Sequence, residues 1–166
     1  MTKVKRSEVK MFLNTTPETP HVLGSATATY ELIGDGVPDT GIDYNPKNTE
    51  EIDIAEDSAT VTVDSYAPTQ KVEQVAMSDD PVFKFVDQLR LDRAILGAAE
   101  TDIVNVWIYE TGGTAAYPAE QQKVAIAVED LGDKGGEPAR LNYTINYVGN
   151  PVPGTFNSTT KVFSAS

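Results

Sequence analysis

Four stretches of this chain alternate large and small side chains with a period of two, the spacing of β-strands that lay one face on a core. Ala26, Ala28, Tyr30 and Leu32 alternate with Thr27, Thr29, Glu31 and Ile33. Ala59, Val61 and Val63 alternate with Thr60, Thr62 and Asp64, and Val124, Ile126 and Val128 with Ala125, Ala127 and Glu129. Leu141, Tyr143, Ile145 and Tyr147 face one way while Asn142, Thr144 and Asn146 face the other. Each reads as a half-buried strand with its first-named set inward. Asp102 to Tyr109 departs from the rule. Val104, Val106 and Ile108 share one face and Ile103, Trp107 and Tyr109 the other. That strand is expected to be covered on both sides, by its own chain or by a partner.

Turn residues punctuate these runs: Gly34-Asp35-Gly36, Tyr44-Asn45-Pro46, Thr111-Gly112-Gly113, Asp133 to Gly136, and Gly149-Asn150-Pro151. One segment carries the helical period instead. Asp80 is placed to cap, Pro81 suits the first helical position, and Val82, Phe85, Val86 and Leu89 then form an apolar stripe with Phe83 beside it. The expected fold is mainly β with one flanking helix over about residues 80–93.

Two segments look outward. Between Tyr44 and Tyr66 the chain is acidic and weakly apolar, with Ile52 and Ile54 alternating with Glu51 and Asp53 and a reversal expected at Glu56-Asp57-Ser58. It reads as a projecting hairpin or extended loop over residues 44–66, and such projections in small domains generally exist to touch something. At the start, Lys3, Lys5, Arg6 and Lys10 crowd the first ten positions. They form either a solvated terminus or a basic arm, residues 1–12, that docks on an acidic neighbour.

Charge and composition narrow the function. With 13 Lys+Arg against 25 Asp+Glu the formal net charge is −12, which opposes ordinary nucleic-acid binding. There is no cysteine, so disulfides and thiolate metal sites are excluded. No apolar run approaches the roughly 20 residues that cross a bilayer, and the basic start lacks an apolar stretch behind it. The expectation is one domain, residues 1–166, made in a cytoplasm and not inserted in a membrane.

Catalytic and ligand-binding patterns fare poorly. The one histidine, His21, sits in a Thr/Pro-rich approach and reads as a surface or loop residue, with no nucleophile framed by it. Asp35, Asp39 and Asp43 faintly resemble a Ca²⁺ loop but lack the alternating ligands and closing Glu. Gly112-Gly113 and Gly135-Gly136 lack a phosphate-cradling frame. No catalytic residue, cofactor or metal is expected. Trp107, Tyr109, Tyr143 and Tyr147 form either a ligand platform or a core-to-interface seam, the second favoured by their strand alternation.

The order of segments nevertheless resembles a known family. RSEVKMFLN, YELIGDG, GIDYNPKNTEEIDIAEDSATVTVDSYAP, DDPVFKFVDQLR, TDIVNVWIYE, YPAEQQKVAIAVEDLG and LNYTINYVGNPVPGTFNSTTKVF follow one another as in the major tail, or tail tube, proteins of long-tailed phages and prophages of Gram-positive bacteria. The resemblance implies two packed β-sheets forming a sandwich-like barrel, six copies per ring, and rings stacked into a tube. It also implies partners beyond the chain itself, namely tape-measure, tail-terminator and distal-tail proteins, with DNA passing through the lumen unbound and the virion as location. No Ig-like C-terminal domain of the kind some members of that family carry is expected.

On this reading the inter-ring candidates are Glu50, Glu51, Ile52, Asp53, Ile54, Glu56 and Asp57 on the hairpin and Lys3, Lys5 and Arg6 on the arm. Trp107 and Tyr109 are the intra-ring candidates. Glu129, Asp130, Asn142, Thr144 and Asn146 are candidates for the lumen. The rival expectations are a tube subunit of a contractile tail, a phage-like bacteriocin or a secretion system, and a monomeric β-sandwich binding module. An enzyme is not expected.

Overall fold

The computed structural model describes residues 2–110 and 116–166. The strands are β1 (Val9–Asn14), β2 (Tyr30–Leu32), β3 (Thr40–Asp43), β4 (Pro46–Glu51), β5 (Thr60–Tyr66) and β6 (Thr69–Val75). A helix, α1 (Pro81–Asp92), separates these from β7 (Glu100–Trp107), β8 (Ala116–Gly132), β9 (Arg140–Asn157) and β10 (Val162–Ala165). One antiparallel sheet runs β2-β1-β7-β8-β9-β6-β3 with β10 added to β9, and β4-β5 form a second, two-stranded sheet. The expected turn at Thr111-Gly112-Gly113 lies outside the described residues.

The long path folds over into two packed layers because β8 and β9 bend. Gln121 pairs with Val152 but Lys123 with Val148, so Gly149-Asn150-Pro151 are extruded as a bulge. A bulge bends the strand that carries it and raises its twist. The first half of β9 pairs with β6, the second half with β10. Gly149-Asn150-Pro151 is therefore a corner within one strand, where the sequence pattern predicts a turn between two. Its geometry is held by the Gln122 side-chain amide, which donates to Gly149 O at 2.8 Å, and Gly149 takes φ +71°.

Between the layers lies the main core. Met11 and Leu13 of β1 meet Val72 of β6, Ile103 of β7, Val124 and Ile126 of β8, and Leu141, Tyr143 and Ile145 of β9. Strands β1 and β6 are far apart along the hydrogen-bonded path, yet Gln70 of β6 donates to Met11 Sδ. The sheet has curled until its ends face each other, which makes the sandwich barrel-like.

Helix α1 contributes Val82 and Val86 to this core. It starts at Asp80, whose carboxylate accepts from Phe83 N, and stops at Arg93, whose φ of 50° cannot continue a right-handed helix. The expected span is thereby met to within a residue.

A second core covers the opposite face of the first layer. Phe12, Tyr30, Val104, Val106, Ala119 and Phe156 cluster there, with Ala28, Ile108 and Phe163 packed alongside. This explains the two-faced strand: residues 101–106 are all buried, Ile103 toward one cluster and Val104 and Val106 toward the other. Both faces are covered from within the chain, not by a partner.

Three expectations need correction. Only Tyr30–Leu32 of the first alternating run is a strand, and Leu32 is 40% exposed while Ile33 is buried; with β2 this short at the path's end, the period does not carry through. Val61 and Val63 are exposed, because β5 pairs only with β4 and no layer lies beneath it. Of residues 1–12, expected as a solvated terminus or a basic arm, Val9 onward belong to β1, and Met11 and Phe12 are core. What remains outside the sheet is residues 2–8, ending in a short 3-10 turn at Arg6–Glu8.

Candidate assembly surfaces

Among the described residues, the projecting hairpin is paired only with itself. Strands β4 and β5 pair from Pro46↔Tyr66 to Glu51↔Thr60, with a register shift after Lys47. Every residue from 43 to 67 is exposed. A lone two-stranded hairpin is marginal in water, so what holds this one is its neck. Asn45, at φ 44°, donates from Nδ2 to Ala67 O and Thr69 Oγ1, both at 3.1 Å. Ala67 N donates back to Tyr44 O at 3.2 Å, and the Tyr44 and Tyr66 rings meet edge-on at 6.5 Å.

Beyond the neck lie one lysine and six acids. Glu50 and Glu51 end β4, while Ile52, Asp53, Ile54, Glu56 and Asp57 form the tip, where Glu56 N donates to Asp53 O. Ile52 is 63% exposed and Ile54 is fully so. Thr49 bonds Asp64 across the strands.

A cleft of about 780 Å³ separates the neck from the β9 corner, lined by Tyr44, Tyr66, Glu120, Gln122 and Pro151 among others. Burial pushes the Tyr44 hydroxyl up in pKa, and the charge of Glu120 and the nearby Tyr109 add to it. Tyr147 is raised by burial as well; its hydroxyl donates to Gln70 Oε1 and accepts from Asn105 Nδ2. These tyrosines stay neutral and act as apolar bodies with one polar end. Trp107 is half-buried at the end of β7, and Tyr109 is exposed beyond it.

The five lumen candidates share one surface. Asn142 and Thr144 point out of β9 toward β8, where Asn142 Nδ2 donates to Asp130 Oδ1 at 2.7 Å and the Thr144 hydroxyl to Glu129 Oε1 at 2.6 Å. Asn146 lies two residues on, opposite Ala125. Across the other edge of β9, Lys71 and Glu73 of β6 pair with Thr144 and Asn142. The result is a polar sheet face on which Glu73, Glu129 and Asp130 outnumber Lys71.

At the N-terminus Lys3 and Lys5 are exposed, whereas Arg6 is tied to its own chain, donating to Val9 O at 2.6 Å and Thr40 O at 3.1 Å. Arg6 thus bridges β1 and β3.

The sequence reading missed a buried polar network. Asp102 in β7 accepts from Asn14 Nδ2 and His21 Nε2, each at 2.8 Å, and from the Tyr30 hydroxyl at 2.5 Å. Tyr30 in turn accepts from Gln121 Nε2 at 2.6 Å. A carboxylate only accepts, so His21 Nε2 carries the hydrogen. The histidine side chain is 1% exposed, not at the surface. Asn14 Oδ1 takes Thr16 N and Thr29 N, closing the mouth of the 15–29 loop. The signal was available: an aspartate inside TDIVNVW must find several donors if it is buried. This network is enclosed and offers no reacting atom to solvent; it pins the loop over the second core.

Among the described residues, no group of three or more His, Cys, Asp or Glu is placed to hold a metal. Of the Asp35–Asp43 run, Thr40–Asp43 are taken into β3. No helix of the described residues is long and apolar enough to cross a membrane.

No family model and no curated protein matches this chain. Solved structures do. The chain is similar to the SPP1 tail tube determined by solid-state NMR and cryo-EM, with TM-score 0.64 and 12% identity over 91% of this chain and 78% of that one. It is also similar to the tail of an empty GTA particle refined helically with C6 symmetry, with TM-score 0.62 and 11% identity over 98% of this chain and 100% of that one. At these identities the likeness is one of fold: mostly β, one helix, two sheets packed as a sandwich, as expected.

Proposed function

We propose that this chain is a structural subunit of a phage tail tube, of the long-tailed type found in phages of Gram-positive bacteria, in which six copies close into a ring and rings stack into a hollow conduit for the genome. The observation that carries the reading is the hairpin. A compact sandwich holds out two paired strands, all exposed, with apolar Ile52, Ile54, Val61 and Val63 among them. Among the described residues, none covers these side chains to offset their cost in order. The fold shared with assembled tails supports the same conclusion, and the C6 symmetry of one of them supports six copies per ring.

The sheet ends fit this role. Free edges invite pairing; β2 and β3 are short strands at the ends of the path and β10 is a short strand added to β9, so contact around the ring would use and cover them; Trp107 and Tyr109 stand as intra-ring contacts. The acid-rich face of Glu129, Asp130, Asn142, Thr144 and Asn146 is the proposed lumen. A ring multiplies the −12 of one chain sixfold, and a negative wall lets DNA slide where a positive one would trap it. Tape-measure, terminator and distal-tail proteins would be its partners in the virion. The likeness to tail structures favours a structural role over an enzymatic one.

Sedimentation velocity over a concentration series tests the proposal. A six-chain species and heavier particles should grow in as concentration rises. A single 17.9 kDa boundary at every concentration would reject it.

A further inference from the structure

A groove of about 410 Å³ runs between the start of β1 and the β2–β3 connection. Val9, Met11, Ile33 and Val37 line it, and Leu32 stands at its lip, 40% exposed. Arg6 and Lys10 also line it, against Asp39, and exposed Lys3 and Lys5 lie just upstream. The groove sits where the curled sheet stays open, between the β2 and β3 ends of the strand path. In a chain of net charge −12, this is an apolar trough with a positive border.

Such a surface takes an extended acidic segment with apolar residues at alternate positions. The chain carries one: Glu51-Ile52-Asp53-Ile54, with Glu50 before it and Glu56 and Asp57 after it. Within a single copy Ile52 and Ile54 are exposed, which leaves them open to a groove on another copy.

We infer that the hairpin tip of one copy docks in this groove of a second copy, Ile52 and Ile54 against Leu32 and Val37, the acids against Lys3, Lys5 and Lys10. The inference deepens the stacked-ring reading, on which it rests, by naming the surface that receives the hairpin. Tip and groove are different patches of one molecule, so the contact is head-to-tail and propagates in one direction, as a growing tube requires. Its ionic part weakens with salt; its isoleucine part does not.

The absence of native cysteine makes disulfide trapping a clean test. Chains carrying Ile54→Cys are mixed with size-tagged chains carrying Leu32→Cys, or, as a control at another exposed leucine, Leu96→Cys. The mixtures are oxidised at the concentration where wild-type chains associate, and tagged–untagged dimers are counted on a non-reducing gel. The Leu32 pairing should exceed the Leu96 control at least tenfold. It should fall to the control level when the groove chain also carries Lys3, Lys5 and Lys10→Glu, and return when the hairpin chain carries Glu50, Glu51 and Asp53→Lys. Parity of Leu32 with Leu96 overturns the groove contact even if tubes grow. A strong Leu32 product without tubes upholds the contact and sinks the tube reading alone.

Discussion

Removing residues 50–58 should leave the subunit folded and abolish its assembly. The cut takes only exposed residues, so no core contact is lost. The one calculable effect is on chain closure between β3 and β6. That connection shortens from roughly 25 to roughly 16 residues, and (3/2)RT ln n makes the difference about 0.4 kcal/mol, in the stabilising direction. For a chain of this size about 1 kcal/mol moves Tm by about 2–4 °C, so the melt should shift by no more than about 2 °C. Circular dichroism melts of dilute wild-type and deleted chains read the first quantity, and light scattering at high concentration reads assembly. A drop of several degrees would mean that the hairpin packs on its own body. Unchanged scattering growth would mean that it takes no part in stacking. Either result refutes the reasoning.

Other changes test the scaffold. Asp102→Ala strands three donors in a buried site; at about 1–3 kcal/mol for each unmet group, with incomplete additivity, a loss of about 3–5 kcal/mol is expected by urea unfolding, and a loss below about 1 kcal/mol would show that water reaches the site. Gly154→Ala places a Cβ 2.2 Å from Ser164 O and 2.7 Å from Phe163 Cζ, so β10 must lift; fast amide exchange at Ser164 and Ala165 together with a cost of about 1–3 kcal/mol is expected, and protection equal to wild type would contradict it. Asp80→Ala should cost about 1–2 kcal/mol by loss of the helix cap, while Asp80→Asn keeps an acceptor. Burial holds the Asp80 carboxyl above its usual pKa, against the pull of Phe83 N, Val82 N and Gln74. Folding therefore favours the proton on this carboxyl more than the unfolded chain does, and the benefit present below the ordinary value near 3.8 is lost as pH rises through the folded value. Asp80→Asn should gain on wild type over that rise; a gap that stays constant with pH would show the carboxyl to be solvated.

What the sequence disclosed follows from how local each signal was. The helix was legible because its cap, its proline and its stripe fall within one short window. The strands of the core were legible where alternation met a layer on one side, as at Leu141–Ile145. The same alternation misled at Val61 and Val63, since period two reports which residues share a face and is silent on whether anything covers that face. The β9 corner was hidden because Gly-Asn-Pro serves a bulge as readily as a turn, and only the partner strand decides. The His21–Asp102 pair is separated by 81 positions and could be found only by asking what a buried aspartate needs. The lumen candidates came together because they lie on adjacent strands; Trp107 pairs with Val9 and Tyr109 lies near Tyr44, placements that by themselves assign neither residue to a contact between copies.

The central claim is that single copies are incomplete and that ring closure followed by stacking completes them. Negative-stain microscopy of the concentrated full-length chain tests it most directly. The account predicts end-on rings with six repeats and side views of stacked discs. A field of separate, compact particles at every concentration, unchanged when preformed tube ends are supplied as seeds, would contradict it.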